Sequence, residues 1–150
     1  MSAVSEIMSP RKVVVLRIDR TPSALDAANL MIKSKIGSVV IVDLDGKPVG
    51  ILTERDILKK VAVLNKPLHE IAAQDIMSHP VLTIKSYDSI ETAAAVMSKN
   101  KINRLVVLEQ DGALKGVLSI TDITRKLARI LSYEYKRFGR WRALVDFHSG

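Results

Sequence analysis

The sequence predicts an α/β fold in which two similar β-α-β-β-α repeats pack sheet against sheet and a basic helix follows at the C-terminus. Three observations predict it. The chain repeats its own short motifs in the same order, each copy carries the same succession of strand and helix signals, and the composition is globular, with 47% hydrophobic and 26% charged residues among 150. Because a unit of about 60 residues buries too little surface alone, we expect the two copies to share one core.

The internal repeat is visible as matched stretches of sequence. Ile7-Met8-Ser9 recurs as Ile76-Met77-Ser78, and Gly50-Ile51-Leu52-Thr53 recurs as Gly116-Val117-Leu118-Ser119. Three further matches lie between these motifs in both copies: Ala27-Ala28 with Ala93-Ala94, Ile41-Val42 with Val107-Leu108, and Asp45-Gly46 with Asp111-Gly112.

Each copy carries three apolar runs that predict strands. The first run is short and β-branched, and the second and third flank an Asp-Gly turn, which is typical of a β-hairpin. The runs begin at Val13, Val39 and Gly50 in the first copy and at Val81, Leu105 and Gly116 in the second.

Two helices are predicted in each copy. The first helix has its start signal at Thr21-Pro22 in one copy and at Asp88 with Glu91 in the other. Its apolar residues recur every three or four positions, so one face of the helix is buried. The second helix begins at Thr53 or Ser119.

These elements divide the chain into four parts. Seven of the 23 basic residues lie from residue 125 onward, against two of the 16 acidic residues, and five of the six aromatic residues are also there. The C-terminal segment is therefore a distinct basic and aromatic part. We expect an N-terminal tail at 1–6, repeat 1 at 7–70, repeat 2 at 71–127 and a helical extension at 128–150.

Several classes of protein are disfavoured by what the sequence lacks. It has no cysteine, so disulfide frameworks and thiolate sites are excluded, and a cytoplasmic location is the expectation. No apolar run approaches the ~20 residues needed to cross a bilayer, so no membrane association is expected. The sequence has neither a Gly-rich phosphate loop nor a nucleophile elbow, and its three histidines have no metal-binding spacing. We therefore expect no enzyme activity, no catalytic cofactor and no metal.

The spacing Thr53-x-x-Asp56, repeated as Ser119-x-x-Asp122, has two interpretations. A hydroxyl followed three residues later by an acidic side chain is a capping box, which stabilises a helix start without any ligand. The same groups are also suited to bind a ligand, since a carboxylate accepts both ribose hydroxyls and a helix start favours phosphate. The two roles are compatible, and the spacing alone leaves both open.

The ordered set of motifs resembles the paired cystathionine-β-synthase (CBS) domains, often called a Bateman module, over about residues 7 to 127. The resemblance rests on Ile-Met-Ser at the start of each copy and on three longer stretches: Lys101-Ile102-Asn103-Arg104-Leu105-Val106-Val107, Gly50-Ile51-Leu52-Thr53-Glu54-Arg55-Asp56 and Gly116-Val117-Leu118-Ser119-Ile120-Thr121-Asp122. It implies that clefts between the copies bind an adenosine-containing ligand such as AMP, ADP, ATP or S-adenosylmethionine. It also implies a homodimer that passes ligand occupancy to a regulated protein.

The resemblance implies two ligand sites, each built from both copies. Site 1 would use Ile51, Thr53, Asp56, Val81, Leu82, Asn103 and Arg104, with Arg104 reaching the phosphates. Site 2 would use Val15, Leu16, Gly37, Ser38, Val117, Ser119, Thr121 and Asp122. Gly37-Ser38 stands where site 1 has Asn103-Arg104, so site 2 is expected to lack a cation and site 1 is favoured for a charged nucleotide.

The leading hypothesis is a regulatory adenine-nucleotide sensor. A first alternative is a nucleic-acid-binding protein in which the basic and aromatic segment 125–142 makes the contact and the repeats act as the sensor. A second is a structural interaction module whose clefts stay empty.

Overall fold

The computed structural model describes residues 2–9 and 13–138, and it has the predicted order of strands and helices in both repeats. Repeat 1 contains β1 (Val15–Arg17), α2 (Ala24–Ser34), β2 (Ser38–Val42), β3 (Pro48–Thr53), α3 (Glu54–Asp56) and α4 (Ala62–Leu64), after a short helix α1 (Val4–Ile7). Repeat 2 contains α5 (Ala73–Ile76), β4 (Thr83–Lys85), α6 (Ile90–Asn100), β5 (Arg104–Leu108), β6 (Leu114–Ser119) and α7 (Ile120–Phe138).

Two three-stranded sheets have the same topology, β1-β2-β3 and β4-β5-β6. In each sheet the first strand runs parallel to the second, and the second is antiparallel to the third. Val15 pairs with Val40 in one sheet, and Thr83 pairs with Val106 in the other, so these pairs mark equivalent positions of the two repeats. The predicted fold class is confirmed.

The long helices start later than the sequence signals indicate. The Ser23 side chain accepts a hydrogen bond from the Asp26 amide at the start of α2, and Ser89 does the same for Thr92 at the start of α6. Thr21 instead ends a 3₁₀ turn with a left-handed φ of 47°. Both helices are therefore capped by a serine, which is among the preferred residues at this position.

The two sheets pack face to face through a shared apolar layer. Val40, Val42 and Val106 are at most 4% exposed and form the centre of this layer, so the predicted sheet-to-sheet packing is present. The other face of each sheet packs against the long helix of its own repeat, α2 or α6, within one further core per repeat. The described residues thus form three hydrophobic clusters, one between the sheets and one in each repeat.

Two short helices each pack in the core of the opposite repeat. Helix α1 precedes the strands of repeat 1 but packs in repeat 2, and α5 precedes the strands of repeat 2 but packs in repeat 1. Val4 and Ile7 of α1 are buried in the core of repeat 2. Ile71, Ala73 and Ile76, around α5, are buried in the core of repeat 1. The sequence boundaries at residues 7 and 71 therefore do not coincide with the units that pack together, and Val4 lies in a core although 1–6 was expected to be a tail.

The repeated Ile-Met-Ser and Gly motifs contact each other directly. Met77 lies on Gly50, and Met8 lies on Gly116, so closely that a Cβ on either glycine would overlap the methionine side chain. The absence of a side chain at these glycines lets the chain segment before β1 or β4 approach the hairpin. This contact gives a structural reason for both motifs.

The helices that follow β3 and β6 differ. After β3 the chain forms α3, then a π-helical turn at Ile57–Val61, then α4, and it leaves the helix at Asn65. After β6, α7 is one α-helix of 19 residues. This helix includes 128–138 of the expected extension, and residues 139–150 lie outside the described residues. In the described part of the chain, no helix combines the length and apolar character needed to cross a membrane.

Candidate functional site

A first cleft lies between the β3–α3 junction of repeat 1 and the starts of β4 and β5 in repeat 2. It brings together all seven residues that the sequence assigned to site 1: Ile51, Thr53, Asp56, Val81, Leu82, Asn103 and Arg104. Arg55, Lys101 and Ser78 also line this cleft. Cleft 1 is therefore formed by both repeats, and it is lined by a carboxylate from repeat 1 and by cations from both repeats.

Asp56 is oriented by the start of the helix on which it lies. Its Oδ2 accepts hydrogen bonds from the Thr53 amide at 3.0 Å and from Thr53 Oγ1 at 3.1 Å, and Thr53 Oγ1 accepts from the Asp56 amide at 3.2 Å. The capping-box interpretation is thus correct for this motif. Because the Asp56 side chain is 14% exposed, the carboxylate still borders the cleft and remains accessible to a ligand.

The other oxygen of Asp56 has two partners that sequence reasoning missed. Ser78 Oγ donates to Oδ1 at 3.3 Å, and Lys60 Nζ lies 3.3 Å from the same oxygen while donating to the Ile76 carbonyl at 2.9 Å. Ser78 is the last residue of the repeated Ile-Met-Ser motif, so its recurrence was an available signal. Lys60 follows Asp56 by four residues, which is the usual spacing of an ion pair on a helix.

The backbone beside Asp56 connects the two motifs of the cleft. Ile51 and Ser78 form an isolated antiparallel bridge, in which each amide donates to the other's carbonyl, at 3.1 and 2.8 Å. This bridge fixes the apolar side chain of Ile51 relative to Val81 and Leu82, three and four residues beyond Ser78. One wall of the cleft is consequently apolar, as a planar base would require.

Arg104 is the first residue of β5 and has a half-buried side chain. Its Nη2 lies 2.9 Å from the point where a Cβ on Gly37 would stand. Within residues 2–9 and 13–138, its guanidinium makes no hydrogen bond or ion pair. Burial partly removes water from this charge, so an anion at this position would be bound more strongly than at an exposed arginine.

A second cleft is related to the first by the repeat. It is lined by six of the eight residues assigned to site 2: Gly37, Ser38, Val117, Ser119, Thr121 and Asp122. Val15 and Leu16 do not line it, and Val13 and Val14 take their place. Since Val15 matches Thr83 in the sheets, the equivalents of Val81 and Leu82 are Val13 and Val14, and the sequence assignment was shifted by two residues.

Asp122 occupies the second cleft in a more closed arrangement than Asp56 has in the first. Its Oδ2 accepts from the Ser119 amide at 2.9 Å, and its Oδ1 accepts from Arg125 Nη1 at 3.1 Å. Its side chain is 3% exposed. The carboxylate is therefore buried and paired with a cation from its own helix.

The expectation that the second cleft lacks a cation is wrong. Arg104, Lys115 and Arg125 all line it. Position 38 carries no charge, as the sequence indicates, but the cations come from other elements of the fold. The second cleft is also the larger, with a volume of about 730 Å³ against about 180 Å³ for the first.

Neither cleft resembles a metal centre. Among the residues that the structure describes, no group of three or more histidine or acidic side chains is placed to hold a metal ion.

Comparison with known proteins identifies this architecture. The family model of the CBS domain matches residues 4–63 and 73–129. The Methanopyrus kandleri protein MK0525 is 36% identical over 121 residues, which are 79% of this chain and 62% of that protein. This chain thus spans less than two thirds of that relative's length.

Two solved structures with the same fold contain adenosine compounds. The CBS-domain protein PAE2072 from Pyrobaculum aerophilum, complexed with AMP, is 32% identical with a TM-score of 0.71, over 81% of this chain and 89% of that chain. The CBS-domain pair of protein MJ0100, in complex with 5′-methylthioadenosine and S-adenosyl-L-methionine, is 29% identical with a TM-score of 0.74, over 85% and 97%. With both repeats matched by the family model, the chain belongs to the CBS-domain family.

Proposed function

We propose that this protein is a regulatory module whose clefts bind an adenosine phosphate and that cleft 1 binds AMP or a close relative of it. The family supports ligand binding, because the AMP complex of PAE2072 and the two adenosine compounds bound to MJ0100 occur in proteins of the same fold. No catalytic role is proposed for any residue.

The observation that carries this proposal is that cleft 1 contains both an oriented carboxylate and an arginine whose guanidinium has no hydrogen bond or ion pair within the described residues. Asp56 is held by Thr53 on one side of the cleft, and Arg104 comes from the other repeat. A nucleoside monophosphate has two vicinal hydroxyls at one end and a dianion at the other. The cleft therefore offers an acceptor for the hydroxyls, a cation for the phosphate and an apolar wall for the base.

The roles of individual residues follow from these positions. Asp56 Oδ1 would exchange the Ser78 hydroxyl and the Lys60 ammonium for the ribose hydroxyls, while Arg104 and Thr53 bind phosphate. Ile51, Val81 and Leu82 would contact the adenine. Because Lys60 moves away from its carboxylate partner in this exchange, ligand binding changes the helix that carries it, and such a change can be passed to a regulated protein.

Calorimetric titration with AMP, ADP, ATP, S-adenosylmethionine and NAD tests the function directly. We expect AMP to bind with a dissociation constant below millimolar, and adenosine without phosphate to bind more weakly. No heat of binding and no thermal shift with any of these compounds at millimolar concentration would contradict the proposal. That result would favour the structural module with empty clefts.

We also propose that the protein is a homodimer that associates through its helices. Large apolar side chains are exposed on the helices after β3 and β6, including Leu58 at 75%, Val63 at 83% and Leu131 at 55%. Burying them on a second copy removes this apolar surface from water. Sedimentation equilibrium should give twice the monomer mass, and a concentration-independent monomer would contradict the proposal.

One observation keeps nucleic-acid binding as a second candidate function. Arg129, Tyr133 and Lys136 are exposed at spacings of four and three residues on α7, so they follow one face of that helix. Cations alternating with an aromatic ring suit a phosphate backbone with stacked bases. Gel shifts at low and high salt, comparing the full chain with a truncation after Leu127, test this. Equal binding by the two chains would exclude α7 as the contact.

A further inference from the structure

Arg104 borders both cleft 1 and the second, larger cleft, which is named cleft 2. Arg104 is one of the residues that line cleft 1, with Asp56 and Val81, and one of the residues that line cleft 2, with Gly37 and Ser119. Its Nη2 lies beside Gly37, so a single arginine borders two candidate ligand sites.

The absence of a side chain at Gly37 leaves room for the Arg104 guanidinium beside it. A Cβ at position 37 would stand 2.9 Å from Arg104 Nη2, which is closer than side chains normally approach, and 3.2 Å from Glu54 Oε2. The matching position in the other repeat is Asn103, and the position matching Arg104 is Ser38. The pseudo-symmetry of the fold is thus broken here, since only one side has both the arginine and the gap that receives it.

Arg104 differs from the other cations around the clefts. In cleft 2, Lys115 is paired with Glu109 at 2.9 Å and Arg125 is paired with Asp122 at 3.1 Å. In cleft 1, Arg55 and Lys101 are exposed to solvent. Among the cations that the structure describes around the clefts, Arg104 alone is both half-buried and unpaired.

We propose that Arg104 serves both clefts, binding the phosphate of a ligand in one cleft at a time, so that an anionic ligand in either cleft weakens anion binding in the other. This inference rests on the proposed binding of adenosine phosphates. A guanidinium that grips phosphate with two N–H groups is fixed in one orientation, and part of its charge is neutralised. Coupling between two binding sites is reciprocal, so the weakening is equal in both directions.

The test compares the affinity of cleft 2 for AMP with cleft 1 filled and with cleft 1 disabled. In the wild type, the second binding step of a calorimetric titration reports cleft 2 beside a filled cleft 1. In Asp56→Ala, the stronger step reports cleft 2 beside an empty cleft 1. We expect AMP to bind cleft 2 about tenfold more tightly in Asp56→Ala than in the wild type, within the usual range of coupling factors. With neutral adenosine the two values should agree.

Two further variants act on the arginine without touching either capping carboxylate. Arg104→Gln should abolish the tenfold difference, because no shared charge remains. Gly37→Ala should move the guanidinium away from cleft 2, so that cleft 2 binds AMP several-fold more weakly while cleft 1 keeps its affinity. Gly37 has no left-handed φ, so alanine introduces no backbone strain.

The outcomes separate the two proposals. If the wild type binds no AMP, both the proposed function and the shared arginine fail. If AMP binds but the affinity of cleft 2 is the same with and without Asp56, or if the difference persists in Arg104→Gln, only the shared arginine fails. A Gly37→Ala protein with wild-type affinity in both clefts would also overturn it.

Discussion

The two repeats start their last helices with the same hydrogen-bonded box and then treat its carboxylate differently. In repeat 1 a π-helical turn follows Asp56, and Lys60 reaches both this carboxylate and the Ile76 carbonyl. In repeat 2 the helix is regular, and Arg125 pairs with Asp122 one turn later. The shared motif thus sets the position of the acid, and the residues after it set how available the acid is.

This difference separates a carboxylate that borders its cleft from one that is buried. Asp56 borders its cleft at 14% exposure and is held there by a serine hydroxyl and a lysine that also has another partner. Asp122 is 3% exposed and held by an arginine. π-helical turns inside α-helices frequently occur at functional sites, which supports the proposal that the carboxylate of repeat 1 contacts the ligand.

The largest expected effect comes from removing each carboxylate in turn. Asp56→Ala should weaken AMP binding in cleft 1 by tenfold to a hundredfold, because hydrogen bonds to charged groups contribute about 1.5 to 3 kcal/mol. Asp122→Ala should act mainly on stability, since it leaves Arg125 without its partner. Calorimetry with AMP and urea unfolding without ligand measure the two effects. Wild-type affinity in Asp56→Ala would remove this acid from the site.

The second comparison concerns the two glycines that contact a methionine side chain, Gly50 with Met77 and Gly116 with Met8. Gly50→Ala should lower the free energy of unfolding by about 1 to 3 kcal/mol, because the new methyl group overpacks against Met77. Gly116→Ala should cost less, since it meets only the terminal methyl of Met8. Adding Met77→Ala to Gly50→Ala should recover part of the loss. Equal unfolding curves for wild type and Gly50→Ala would show that this contact is easily rearranged.

The smallest expected effect is a pH dependence of the stability contributed by an ion pair in repeat 2. Lys115 donates a hydrogen bond to Glu109, which lowers the pKa of that carboxyl group. A lowered pKa in the folded state adds stability above the ordinary pKa of the group, and this stability is lost as pH falls through the lowered value. Glu109→Gln should therefore melt slightly below wild type at neutral pH, and the difference should vanish in acid. A difference independent of pH would contradict the assignment.

The repeat in the sequence was enough to predict the fold, because matched strand and helix signals in the same order leave few arrangements. The residues of cleft 1 came from the resemblance to paired CBS domains, whose motifs are intact on both sides of that cleft, and the structure places these residues around one cleft. The error at Val15 and Leu16 has a physical origin. A run of consecutive β-branched residues carries no mark of where pairing with the next strand begins, so the register was found only from the pairing of Val15 with Val40.

Other features depend on contacts between distant parts of the chain. Lys60 contacts Asp56 and the Ile76 carbonyl from within a π-helical turn. The sequence of Ile57–Val61 contains no pattern that predicts such a turn. Cations reach cleft 2 from β5, β6 and α7, whereas the sequence comparison looked only at the matching position, Ser38. Matching one copy to another predicts what the copies share and misses what one copy supplies to the other.

The exchange of α1 and α5 between the repeats has a consequence for how the chain folds during its synthesis. The core of repeat 1 lacks a wall until Ile76 has left the ribosome, so this repeat is completed only after the second has begun to emerge. The hydrophobic cluster that buries Val4 and Ile7 is complete only later in synthesis, because it includes Leu118. The packing of α1 therefore depends on contacts between residues far apart in the sequence, and contacts of this kind form slowly.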